Sequence, residues 1–416
     1  MKQSSSLWDV IVVGGGISGL YSAYQILLKN PTCRLLVLEK NTKRWLGGRM
    51  NNDMFAGVRV VTGAGVGRKK KDKLLIRLIH ELQIPVTEFV ARKQWGPRVK
   101  NPIDILKCTR VLRKEYASMK HPPRVTFREF AQPRLGADLY KDFLVSSGYT
   151  DYENADVEEV LYHYGLDDDA GGWTGLSIPW RQLIETLADH IGWKRIRTSE
   201  DVFKVGPLSH GGDAGARFRV QTRDHEYLTK KVILALTVAG VTQLLPGFPM
   251  YRGIRGQPFL RLYGKVAPGS VEWMKERVPM QTNVGGLLYK VIPIDGEKGV
   301  YMIAYNDNRG AEMAKSRIAN TAANRRFWET QLGAALGGDS GGLKLSEIRG
   351  YYWPIGTHYY TPLPSGFSNR LEFIAAAQHP MPDMLVVGEM VSRSQGWSQG
   401  ALESVEAVLD SDFIFS

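Results

Sequence analysis

Cysteine is scarce in this chain: Cys33 and Cys108 are the only two in 416 residues. That excludes a scaffold stapled by several disulfides and any zinc or iron–sulfur site built on a set of thiolates, so no metal is expected. It also fits a reducing compartment. No apolar run reaches the roughly 18–20 residues of a membrane span, and the first apolar stretch, Val10 to Val13, is too short for a signal-peptide core. A soluble, intracellular, cytoplasmic protein is expected. Acidic residues are outnumbered, 42 Asp+Glu against 54 Lys+Arg, which leaves a formal charge of +12. The excess concentrates in Arg68-Lys69-Lys70-Lys71-Asp72-Lys73 and in segment 92–128. Such a face suits nucleic acid, anionic lipid or an acidic partner, but no nucleic-acid motif accompanies it, and a solvated surface is the preferred reading.

Glycine, by contrast, is abundant: 44 residues, where a usual level of roughly 7% would give about 30. The N-terminus shows why. Trp8-Asp9-Val10-Ile11-Val12-Val13 reads as a strand buried on both faces, Gly14-Gly15-Gly16-Ile17-Ser18-Gly19 follows at once, and Leu20, Ala23, Ile26 and Leu27 recur with helical spacing. After Asn30-Pro31, Arg34 to Leu38 reads as a second strand ending at Glu39. This βαβ context gives G-x-G-x-x-G its meaning. Gly14 permits the tight turn, Gly16 lets backbone approach a pyrophosphate, and Gly19 allows helix to pack on strand. The anion rests on the helix N-terminus at Ile17 and Ser18. Glu39, followed by Lys40, is placed to accept hydrogen bonds from a ribose diol, which favours FAD or NAD over NADP. There is no second fingerprint for another nucleotide. Instead Leu46-Gly47-Gly48-Arg49-Met50 can bring amides and a guanidinium to a pyrophosphate edge.

Further along, residues 73 to 129 show mostly helical spacing cut by prolines, and a helix is predicted from about Pro179 to Ile191. Val202–Val205, Arg217–Thr222 and Lys231–Leu236 read as strands, as do Phe259–Lys265, Leu287–Pro293 and Val300–Tyr305. Ile318 to Leu336 is helical, Gly333 to Gly342 reads as a flexible connection, and Met384–Val387 leads through Gly388-Glu389 to a final helix, Ala401 to Leu409.

Taken together, these motifs resemble the flavin-containing amine oxidase family, which includes monoamine and polyamine oxidases. The opening is similar to its FAD fingerprint and Gly47-Gly48-Arg49 to its second Gly-Gly-Arg element. Thr62-Gly63-Ala64-Gly65-Val66-Gly67 resembles the loop beneath the isoalloxazine, with Arg68 where the family often has proline. Val386-Val387-Gly388-Glu389 and Gly396-Trp397-Ser398-Gln399-Gly400-Ala401 resemble its last flavin-binding strand, turn and helix, and Val202 falls where a backbone contacts adenine.

The resemblance implies transfer of a hydride from the carbon next to an amine to flavin N5, with an imine hydrolysed to an aldehyde, dioxygen as acceptor and hydrogen peroxide as product. It implies two aromatic rings before the flavin. Trp397 matches one, and Tyr359, with Tyr360 as fallback, matches the other. Where monoamine oxidases carry a flavin-linked cysteine stands His358, so FAD bound non-covalently is expected. The lysine that in many members holds a water at N5 has only Lys265 and Lys290 as candidates, because the best-aligned positions are apolar or Arg261. Gly65, where monoamine oxidases carry a tyrosine, implies a wider pocket.

The expected fold class is α/β: a Rossmann-type FAD-binding domain interleaved with an α+β substrate domain, as in the amine oxidase or p-hydroxybenzoate hydroxylase architecture. The FAD domain is assigned to 1–72, 192–250 and 376–416, and the substrate domain to 73–191 and 251–375, with a helical subdomain at about 73–170. An amine oxidase is the leading reading. Two others stay open: an L-amino-acid oxidase or desaturase on the same fold, with Arg181, Arg261 or Arg349 available for a carboxylate, and a flavin-stabilised binding protein with a basic nucleic-acid or partner face.

Overall fold

The computed structural model describes residues 2–208, 215–337 and 342–415. Seven strands form the first sheet, in the order Val202–Pro207, Phe218–Thr222, His225–Leu234, Lys2–Val13, Leu35–Glu39 and Ile196–Thr198, with Met384–Val386 also paired to His225–Leu234. Lys2–Val13 runs parallel to both Leu35–Glu39 and His225–Leu234, and Met384–Val386 is parallel to the latter. The start, middle and end of the chain therefore meet in one sheet.

The alternation of a strand explains the continuous apolar run. Val10 and Val12 with Leu35 and Val37 turn to one face, and Ile11 and Val13 with Leu36 and Leu38 turn to the other; each face has its own apolar cluster. The helix Ile17–Lys29 covers the first face through Leu20, Ala23 and Ile26, none of them exposed. Burying one such leucine contributes roughly 1.5–3 kcal/mol, and truncating Leu20 to alanine should cost about 2–5 kcal/mol.

A second sheet follows the order Leu345–Tyr360, Ile254–Val266, Val300–Asp307, Tyr289–Asp295, Gln281–Gly285 and Lys93–Trp95, antiparallel except at the last pair. Its core gathers Leu260, Leu262 and Ile303 against Trp328 and Leu332 of the helix Ala322–Leu336. Gly333 is buried within that helix rather than in a connection, and residues 338–341 of the expected loop lie outside the described ones.

Between residues 73 and 129 the helical reading holds for Lys73–Glu81 and Ile105–Ser118 but not for the stretch between them. There Thr87–Val90 and Lys93–Trp95 are strands, the first paired with Thr174–Ser177. Tertiary pairing has overridden the local pattern. The helices Phe127–Leu135 and Val157–Tyr162 begin where side chains satisfy free N–H groups: Thr126 and Glu129 form a capping box, and Asp156 accepts from Glu158 and Glu159. The whole is an α/β Rossmann-type sheet interleaved with a mostly antiparallel sheet and a helical layer, as the sequence led one to expect.

Candidate active site

At the end of Lys2–Val13 the chain turns through three glycines, each with its own reason. Gly14 has a φ of +110°, and a Cβ there would stand 2.3 Å from the carbonyl oxygen of Ala235. At Gly19 a Cβ would stand 2.0 Å from the carbonyl oxygen of Gly14, so helix and strand touch only without side chains. At Gly16 it would meet nothing within 4 Å. Gly16 instead borders a cavity of about 1510 Å³, with Gly14, Ile17 and Ser18 beside it at the start of the helix. That open space before unpaired helical N–H groups fits a pyrophosphate.

Glu39 is 6% exposed on the same cavity. Its Oε2 accepts the Gly15 N–H at 2.7 Å, and Oε1 accepts the backbone and side-chain nitrogens of Asn41 at 2.8 and 2.7 Å. A carboxylate has about four acceptor positions, so these bonds hold Glu39 while leaving room for a ribose hydroxyl. Lys40 and Val202 line the cavity too.

Gly47, Gly48 and Arg49 form a further part of the wall, and a Cβ at Gly48 would again meet open space. Arg49 Nη1 donates to the Gly356 carbonyl and to Glu389 Oε1, both at 2.8 Å. The same carboxylate faces His358 Nδ1 at 2.5 Å and accepts the Gly396 N–H at 3.2 Å. His358 Nε2 accepts the Val238 N–H at 3.1 Å, which assigns the ring proton to Nδ1. Burial alone would raise the Glu389 carboxyl, but His358 and Arg49 hold it down to about 2. Both ring nitrogens of His358 are thus engaged, and neither Cys33 nor Cys108 lines the cavity.

Gly63, Ala64 and Gly65 pass along the cavity wall. A Cβ at Gly63 would stand 2.2 Å from the Arg49 carbonyl oxygen, and one at Gly65 would stand 3.1 Å from Arg261 Nη2. The widening expected from Gly65 is therefore corrected: Arg261, not empty space, abuts this position.

Trp397 caps the start of the helix Ser398–Glu406 and lines the cavity, with the Arg68 guanidinium 3.6 Å from its ring centroid. Tyr149, Tyr164 and Tyr305 line the same cavity. Across the turn stands Thr357, whose Cγ2 lies 3.7 Å from where a Gly396 Cβ would be. Tyr359, expected there, is two residues further along Leu345–Tyr360, opposite Arg255 in the neighbouring strand, and packs on the helical layer without lining the cavity. Tyr360, the fallback, is core, its hydroxyl bonded to the Ser392 carbonyl at 3.0 Å.

Other expectations are also corrected. Lys265 lies near the end of its strand, its Nζ on the Lys298 carbonyl and away from the cavity. Lys290 is buried behind the wall, its Nζ 3.0 Å from the Tyr149 ring centroid. Gln399 is spent elsewhere: its Oε1 accepts the N–H groups of Leu74 and Leu75 at 2.9 and 3.2 Å, capping the helix Lys73–Glu81. Gly388, Glu389 and Ala401 do line the cavity. Of the three arginines weighed for a carboxylate, Arg261 alone lines it.

Sequence reasoning missed a polar wall built from Tyr149, Asp151, Tyr164, Asp169 and Tyr305. Tyr164 donates to Asp151 at 2.5 Å, while the Asp169 carboxylate has no hydrogen-bond partner among the described residues and its Oδ2 is enclosed. Burial, only partly offset by Lys290 and Lys93, pushes Asp169 up to about 7; burial also lowers Lys290 to about 7. The run Asp167-Asp168-Asp169 was the one visible signal.

Much of the basic run is drawn into ion pairs. Arg68 bonds Asp72 at 2.6 Å and Asp168 at 3.0 Å, Lys71 also bonds Asp168, and Lys69 bonds Glu88. Among the described residues no helix is long and apolar enough to cross a membrane, and no group of three His, Cys, Asp or Glu side chains is placed to hold a metal.

Comparison with known proteins agrees with this geometry. Residues 12–82 match the model of the NAD(P)-binding Rossmann-like domain. Cyclohexylamine oxidase from Brevibacterium oxydans IH-35A superposes with a TM-score of 0.73 over 97% of this chain and 98% of that one, at 14% identity. Putrescine oxidase, wild type bound to putrescine, superposes with a TM-score of 0.74 over 98% of each chain, also at 14% identity. The uncharacterized protein R188 of Acanthamoeba polyphaga mimivirus is 37% identical over a gapped alignment of 496 positions, covering 96% of this chain and 93% of its own. The chain belongs to one family with mimivirus R188, and its fold is that of the flavin-containing amine oxidases.

Proposed function

We propose that the protein is an FAD-dependent oxidoreductase acting on a small-molecule amine. One observation carries this reading: a single cavity runs from the Gly14–Gly19 cradle and Glu39, past Gly63–Gly65, to Trp397 and the polar wall. FAD bound along it would supply the hydride acceptor for the carbon next to the substrate nitrogen and the means of reducing dioxygen to hydrogen peroxide; water would hydrolyse the imine product to an aldehyde, releasing ammonia or an amine. Glu39 holds the ribose, Gly16, Ser18 and Arg49 serve the pyrophosphate, Val202 the adenine end, and Gly63, Ala64 and Gly65 the ring. The cofactor half comprises 1–72, 192–250 and 376–416. FAD is held without a covalent bond in this reading, because His358 is locked between Glu389 and Val238 and no thiol reaches the cavity.

Trp397 orients the substrate in this cavity, which Thr357 and Tyr305 also line. Flavin released by heating the purified protein and identified by mass, followed by peroxide assays over a panel of amines, tests the reading. Bound FAD with amine-dependent peroxide supports it; a protein that retains no flavin when expressed with excess riboflavin contradicts it.

A further inference from the structure

Among the described residues three arginines are buried: Arg68, Arg261 and Arg370. Arg68 is paired with Asp72 and Asp168, and Arg370 with Asp156 and Glu159. Arg261 has no carboxylate partner. A guanidinium cannot shed its proton, and a buried charge normally requires a counter-charge or a metal. The partners of Arg261 are all neutral: Nε donates to the Gly63 carbonyl at 2.8 Å, Nη2 to the Tyr305 hydroxyl at 3.0 Å, and Nη1 rests on Met302 Sδ at 3.6 Å. Its guanidinium carbon lies 4.1 Å from the Tyr305 ring centroid. Of the roughly five N–H donors of an arginine, one on each terminal nitrogen is left over, on a residue that borders the cavity.

We propose that Arg261 is the anchor for an anionic group on the substrate, so that the substrate class is an amine that also carries a carboxylate. The fork of a guanidinium matches a carboxylate's two oxygens, and a positive charge fixed by Gly63 and Tyr305 needs no reorganisation to receive one. The Cβ-free Gly65 belongs to the same device, since any side chain there would press on Nη2. This inference rests on the proposed amine oxidation for its meaning but is tested by binding.

Flavin-loaded wild-type protein is titrated with benzoate and butyrate, and with benzamide as the neutral isostere, following the flavin absorbance difference spectrum. The carboxylates should perturb the spectrum and benzamide should not. In Arg261→Met the carboxylate affinity should fall roughly tenfold to a hundredfold, the loss of a charge-assisted bond, with partial recovery in Arg261→Lys. Anaerobic reduction by an amino acid should show its half-saturation concentration raised more by Arg261→Met than that of its decarboxylated amine. Carboxylates that leave the wild-type spectrum untouched overturn the proposal, even if the variants fail to fold. So does an Arg261→Met protein that binds carboxylates normally but no longer forms a flavin–sulfite adduct, because the charge would then serve the ring. Failure of every amine to reduce the flavin sinks the proposed function instead, and leaves the carboxylate titration standing.

Discussion

The guanidinium of Arg68 stacks 3.6 Å from the centre of the Trp397 ring while bonding Asp72 and Asp168. A residue from the run that looked like loose surface charge thus backs Trp397, which lines the cavity. Asp72 is fully buried and Asp168 keeps only 10% of its side chain exposed, which makes Arg68 both a stacking partner and their counter-charge.

Replacing Arg68 with methionine keeps most of the apolar contact with Trp397 but strands Asp72. Breaking one side of a buried ion pair costs about 3–5 kcal/mol. Urea unfolding of the flavin-free protein should show a loss of that size; a loss below about 1 kcal/mol would mean the pair is more solvated than its burial indicates.

Gly14 and Gly16 should respond in opposite ways. Gly14→Ala places a Cβ 2.3 Å from the Ala235 carbonyl oxygen at a φ of +110°, so the fold itself should suffer. Gly16→Val adds bulk toward open cavity, so the melting temperature of flavin-free protein should hold while the flavin-to-protein absorbance ratio collapses. Equal loss of stability in the two variants would contradict the cradle.

Glu39→Gln should retain the fold better than Glu39→Ala, because Gln can still accept from Gly15 or Asn41. Weakening a hydrogen bond to a charged acceptor is worth about 1.5–3 kcal/mol, so FAD affinity should drop roughly tenfold to a hundredfold. Unchanged flavin content after dialysis would remove Glu39 from the ribose.

Two carboxyls on the cavity wall make opposite pH signatures. Glu389, held at about 2 against an ordinary 4.5, contributes stability that is complete above about pH 4.5 and lost as pH falls toward 2. Asp169, raised to about 7 from 3.8, destabilises the fold above pH 7, and the penalty fades as pH falls toward 4. Asp169→Asn should therefore be more stable than wild type at pH 8 and indistinguishable from it near pH 4 in parallel denaturation curves. Glu389→Gln should flatten only the acid limb.

The parts of the molecule that were legible in the sequence are those where local rules decide. The Gly14–Gly19 turn, Glu39 and the strand Val10–Val13 follow from backbone sterics and period-two burial, which a short window contains. Tyr359 was misplaced because strand alternation puts Thr357 and Tyr359 on the same face, and only the pairing of Gln257 with Thr357 fixes which of them stands across from Gly396. Gln399 looked like part of a flavin turn, yet a helix over 300 residues away in sequence claims its oxygen. The wall of Tyr149, Asp169, Arg261 and Tyr305 assembles from four separate segments, and no local pattern announces it.

Anaerobic stopped-flow mixing of flavin-loaded protein with amines, both simple and carboxylate-bearing, tests the central claim most directly. Bleaching of the oxidised flavin band near 450 nm at a rate that saturates with amine is the expected result, with Trp397→Ala slowing it by roughly tenfold or more through lost orientation. A flavin that stays oxidised with every amine, yet is reduced at once by dithionite, would contradict it.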